Sequence, residues 1–173
     1  MLRGATRGLV HSRKPSLSIA FYYEATNPPQ SLFLPFGVAA QSNLPVTQQC
    51  LGCICEAISA CNTTSTCSGD VCGPFRITWA YWADSGKPTV GGEPPEAATA
   101  YANCARDTYC SALAVQGYMS KFQQDCNGDG KIDCDDFATI HKTGGYGCKG
   151  IPLPEPYGER YRQCKQIVGQ LRP

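Results

Sequence analysis

Twelve cysteines lie between Cys50 and Cys164, and none falls in residues 1–49. An even number at that density reads as a disulfide framework closed in an oxidising compartment. Zinc is the competing reading, because Cys50, Cys53 and Cys55 are close enough in sequence to share a metal. No second CxxC knuckle follows at the usual separation, so the spacing favours bridges. A chain of 173 residues is most simply one domain, here a cross-linked one.

Charge narrows the function classes. Residues 1–40 hold four basic residues and one acidic residue, and the remainder carries a net charge of −2. A nearly neutral cysteine-rich body has no electrostatic footprint for nucleic acid. No apolar run approaches the roughly 18 residues that span a bilayer. SLFLPFGVAA (31–40) resembles the end of a signal sequence, with Val38 and Ala40 placed for cleavage. It is short, interrupted by Pro35, and preceded by a polar, basic stretch. Residues 1–40 are therefore expected to be an atypical leader, removed or poorly ordered, before a folded body at 41–173. Secretion is expected from the cysteines more than from that leader.

Along the body, EAISA (56–60) is helix-compatible but short. GPFRITWAYW (73–82) alternates like a strand, yet Ile77, Tyr81 and Trp82 also suit a helical face. TVGGEPPE (89–96) is a turn-rich connector. Cys110, Ala114, Tyr118 and Phe122 recur at four-residue steps, which predicts one or two helices within 97–122. DDFATIHK (135–142) reads as a short helix with an acidic start and a Gly144-Gly145 stop. An extended stretch (151–158) and a last helix around Cys164 complete the chain.

DCNGDGKIDCDD (125–136) matches the loop of a helix–loop–helix calcium site. Asp125, Asn127 and Asp129 occupy the first, third and fifth places, and Gly130 the turn. Lys131 offers its carbonyl, Ile132 the apolar anchor, and Asp133 the ninth place. Asp136 closes the loop in place of the usual glutamate. Alternate oxygens of a tight loop can surround a hard cation, so Ca2+ is the expected cofactor, in a structural role. The other reading is an acidic turn held by Cys126 and Cys134. No cofactor is needed for chemistry.

Four segments, CLGCICEAISAC (50–61), CGPFRITWAYWAD (72–84), YANCARDTYCSALAVQGYM (101–119) and FATIHKTGGYGCKG (137–150), together resemble the invertebrate-type lysozymes, the family that includes the destabilases. The resemblance implies a small α+β, mainly helical, disulfide-rich lysozyme-like domain with a substrate cleft, into which the calcium-loop-like segment is inserted. It implies the pairs Cys50–Cys134, Cys53–Cys164, Cys55–Cys61, Cys67–Cys72, Cys104–Cys110 and Cys126–Cys148. A further bridge of some members falls on Ser85 and Ala114, both lost together. The implied partner is peptidoglycan or a related amino-sugar polymer, cut at β-1,4 bonds.

Glycoside hydrolysis ordinarily uses two carboxyl groups, one donating a proton to the leaving oxygen and one steadying or attacking the sugar. In active members the acid is a glutamate three residues after C-I-C, and here that place is Ile58. The second carboxylate maps onto the shortened loop 68–71, whose only acidic residue is Asp70. Glu56 sits two residues before Ile58, about 200° around a helix, and so is expected to face away from the cleft as a solvated charge near a helix start. The serine and lysine of the destabilase isopeptidase activity are also missing: Val71 precedes Cys72, and Thr78 takes the lysine position. His141 matches the family histidine, in a functional or a structural role. Trp79, Tyr81, Trp82 and Tyr146 are candidates for stacking on pyranose rings, with core packing as the alternative, and Arg76 and Asp84 for hydroxyl contacts. Asn62-Thr63-Thr64 is a glycosylation sequon in a predicted surface loop. The expected function is peptidoglycan binding or attack with catalysis reduced or lost. The alternative is a bridge- and calcium-stabilised interaction protein.

Overall fold

The computed structural model describes residues 44–64 and 66–170; the leader assigned to 1–40 lies outside them. The first element is helix α1 (Gln48–Ser59), longer at its start than the short EAISA signal suggested. Thr47 caps it by accepting a hydrogen bond from the Cys50 N–H, and Leu51, Ile54, Cys55 and Ala57 are buried along it. The cap and the buried cysteines, rather than a longer apolar period, define the helix. Its entry is pinned from afar by the buried Gln116. The Gln116 carboxamide accepts from the Val46 N–H and donates to the Val46 carbonyl.

The ambiguous 73–82 segment resolves into both structures. Strands β1 (Val71–Cys72) and β2 (Ile77–Thr78) pair antiparallel, with Val71 opposite Thr78 and Cys72 opposite Ile77. Helix α2 (Trp79–Asp84) starts immediately afterwards, because the Thr78 hydroxyl caps the Tyr81 N–H. Gly73, at φ 71°, opens the hairpin turn; a Cβ there would lie 1.6 Å from the Ala105 carbonyl oxygen, so only glycine fits.

The alanine-rich stretch forms two helices, α3 (Ala100–Arg106) and α4 (Thr108–Phe122), divided at Asp107, whose carboxylate caps α4. Gly117, mid-way along α4, lets the Ser85 backbone at the end of α2 approach closely. That contact lies one turn beyond Ala114. Helix α5 (Cys134–Thr143) ends at Gly144, and α6 (Tyr157–Gln170) packs along α1. The result is a mainly helical α+β domain with a two-stranded sheet at one side.

Six disulfides hold it together: Cys50–Cys134, Cys53–Cys164, Cys55–Cys61, Cys67–Cys72, Cys104–Cys110 and Cys126–Cys148. Each is a pair that the resemblance implies. Cys53–Cys164 joins residues 111 apart and ties α1 to α6. On chain-entropy grounds a closure of that span is worth roughly 4–5 kcal/mol.

Candidate functional site

Helix α1 ends beside the hairpin. Ser59, in its last turn, donates its hydroxyl to the Pro74 carbonyl at 2.5 Å, so the end of α1 and the hairpin turn are fixed to each other. Ile58 precedes it, half-buried and packed against the hydrophobic core. Asp70 lies just before β1 and is exposed. The Tyr101 hydroxyl donates at 2.8 Å toward the carbonyls of both Asp70 and Ile77, bracing the loop that carries the carboxylate. Burial, reinforced by the nearby Asp70 charge, pushes the Tyr101 phenol up. Sequence reasoning missed Tyr101, since nothing marks one tyrosine in an alanine-rich helix as a brace for a distant loop.

Glu56 departs from the expected solvated charge near a helix start in both position and exposure. It lies in the last turn of α1, not near its start, so the helix dipole disfavours its charge. It is half-buried, its Oε2 has no hydrogen-bond partner, and burial raises its pKa against the opposing pull of Arg160 on α6. Glu56 therefore faces the α1–α6 seam. Ile58, two residues on, lies about 200° from Glu56 around the helix, so the two side chains point to different sides of α1.

His141 is held from both ring nitrogens. Its Nε2 lies 2.9 Å from the Phe75 carbonyl, which can only accept, so Nε2 carries the proton. Nδ1 then accepts from the Tyr81 hydroxyl at 3.1 Å. Burial lowers the imidazole pKa to about 4, and the ring is neutral at physiological pH. Both polar atoms are committed to the fold, which fits a structural role. Thr78 is likewise engaged, as the α2 cap.

The sugar-contact candidates separate by exposure. Trp82 is 1% exposed and donates its Nε1–H to the Pro88 carbonyl, so it belongs to the core. Tyr81 stacks face to face on Tyr118 at 3.7 Å and offers no open face there. From that pair a row of rings continues through Phe122 to Tyr146. Tyr146 is 91% exposed and Trp79 55%, which leaves these two with open surfaces. Lys87 Nζ lies 5.9 Å from the Trp79 ring centre. Asp84 pairs with Lys121 at 2.6 Å, and Arg76 is half-buried in a left-handed conformation in the hairpin turn.

The 125–136 loop does not form a cation cage as arranged. Asp136 is fully buried, and its carboxylate accepts from the N–H groups of Cys126, Asn127 and Asp133. Together with Asp133 it makes the capping box that starts α5. Asp125 accepts from Gly128 and Gly130, Asn127 from Asp129, and Asp129 from Lys131. Ile132, the expected anchor, is 48% exposed. Among the described residues, no group of three or more histidine, cysteine or acidic side chains is placed to hold a metal.

The domain so assembled has known counterparts. A family model described as Destabilase matches residues 47–164. The chain belongs to the destabilase family. It is 36% identical over 110 residues to a lysozyme of Meretrix lusoria, covering 60% of this chain and 79% of that protein. It is 36% identical over 123 residues to invertebrate-type lysozyme 3 of Caenorhabditis elegans, covering 68% and 83%. Among solved structures, that of Aeromonas hydrophila PliI in complex with Meretrix lusoria lysozyme matches with a TM-score of 0.55. The identity there is 30%, over 75% of this chain and 96% of the other. This destabilase-family chain thus keeps the lysozyme scaffold while carrying a hydrocarbon at position 58. Among its described residues, no helix is long and apolar enough to cross a membrane.

Proposed function

We propose that this chain binds the glycan strands of bacterial peptidoglycan outside the cell, with muramidase activity strongly reduced or absent. One observation carries the reading. Ile58, at the position of the family's proton donor, is a half-buried hydrocarbon packed into the core. The neighbouring Glu56 lies against α6 instead, beside Arg160. Without a general acid, a factor of roughly 10²–10⁴ in rate is lost. Trp79 and Tyr146 supply the open rings for stacking on sugar faces. Six disulfides support passage through an oxidising compartment.

A paired assay tests this. The oxidised protein should be retained on insoluble peptidoglycan while clearing a bacterial suspension at least 100-fold more slowly than an active relative. Trp79→Ala and Tyr146→Ala should each weaken retention about 2–10-fold, the range expected for one ring contact. Ile58→Glu should raise whatever clearing remains. Brisk clearing by the unaltered chain overturns the loss of catalysis. Absence of retention overturns sugar binding and favours an interaction protein with another partner.

Calcium binding by the 125–136 loop is a separate proposal, supported by the order of its oxygen-bearing residues. It requires Asp136 to offer the cation an oxygen lone pair beside the backbone N–H groups it accepts from. A melting-temperature series with calcium and with a chelator decides it. A calcium-dependent rise of several degrees supports the cage, and identical curves leave Asp136 with its capping role alone.

A further inference from the structure

Beyond the sugar-binding reading, and independent of it, we propose that Asn62 is N-glycosylated when the chain passes through the secretory pathway. Among the five asparagines of the sequence, only Asn62 lies in an N-x-S/T triplet. The backbone leaves α1 there through two left-handed residues, Ala60 at φ 55° and Cys61 at φ 49°, which turn the chain outward. Asn62, Thr63 and Thr64 are all exposed, as are the described residues 66–70 that follow. The Thr64 N–H and hydroxyl both donate to Asn62 Oδ1, at 3.0 and 2.7 Å. The sequon hydroxyl is thus directed at the carboxamide, and the triplet forms an Asx turn.

Two bridges bracket the stretch, Cys55–Cys61 before it and Cys67–Cys72 after it. Its start is tied down by the Asn62 N–H, which donates to the Ser59 hydroxyl. The sequon therefore stands off the body at a fixed place, with nothing of the core to displace. In the transfer step, Asn62 Nδ2 forms a C–N bond to the anomeric carbon of a lipid-pyrophosphate-linked oligosaccharide. The anomeric C–O bond breaks, the lipid pyrophosphate leaves with the electron pair, and Nδ2 gives up one proton to a base of the transferase.

The test expresses the full chain behind a cleavable signal in a glycosylating, secreting host. The protein should migrate more slowly than its polypeptide mass requires, and peptide N-glycosidase should abolish the difference. That digestion in heavy-oxygen water should leave a labelled aspartate at position 62. Asn62→Gln and Thr64→Ala should both remove the modification, whereas Thr64→Ser should keep it. Asn62→Gln should leave retention on peptidoglycan unchanged, so failure here is distinguishable from failure of the sugar-binding reading. An unmodified chain, whether recovered from the medium or from the cells, overturns the proposal.

Discussion

At the scale of single residues, Glu56 and His141 each hold a polar group in a place that disfavours its charge. Glu56 has a buried oxygen without a partner and lies at the negative end of α1. Glu56→Gln removes that charge while keeping the shape, so stability at pH 7 should rise by up to about 1 kcal/mol. Thermal denaturation measures this, and any residual lysis should be unaffected. For His141 the folded state depresses the pKa from 6.5 to about 4, so between those values the unfolded chain binds the extra proton. Stability should be level above pH 6.5 and decline as pH falls toward 4, by at most ~3 kcal/mol. Comparing wild type with His141→Gln between pH 6.5 and 4.5 isolates this contribution, and the variant should show a flatter curve. The isoleucine at 58 and the C-I-C spacing before it were legible in the sequence. The partners of His141 were not, because the Phe75 carbonyl and the Tyr81 hydroxyl reach it only after the hairpin and α2 fold back.

At the scale of elements, the sequence was most legible where caps and stops are strong. The α5 helix has its acidic start and its glycine stop, and α4 follows its four-residue apolar step. The first turns of α1 were missed because cysteines and a glycine are interleaved with the buried Leu51 and Ile54 and blur the helical period. The short strands were ambiguous because two residues of alternation cannot be told from a helix start. In the 125–136 segment the local hydrogen bonds add what residue order does not show. The oxygens stand in calcium-loop order, yet Asp136 turns inward to the backbone of the loop's own start. Asp136→Asn replaces one of its acceptor oxygens with a donor facing those N–H groups, so it should cost roughly 2–4 kcal/mol. Chemical denaturation reads that loss directly, with or without calcium. A variant as stable as wild type would remove Asp136 from its role as keystone of the loop.

At the scale of the whole molecule, the disulfides divide into two kinds. Four are local, with separations of 5 to 22 residues, and stiffen individual turns. Two, Cys50–Cys134 and Cys53–Cys164, run from α1 to the carboxy-terminal half. Between the halves lies the connector 89–96, rich in glycine and proline and exposed along most of its length. A protease meeting this protein finds accessible backbone there. Every cysteine before the connector other than Cys50 and Cys53 pairs on its own side, as does every one after it other than Cys134 and Cys164. A single nick would therefore give two fragments still joined by both long bridges, running as one species until a reductant is added. Among peptidases, a cut in the connector and the parting of its two fragments would thus be separate events.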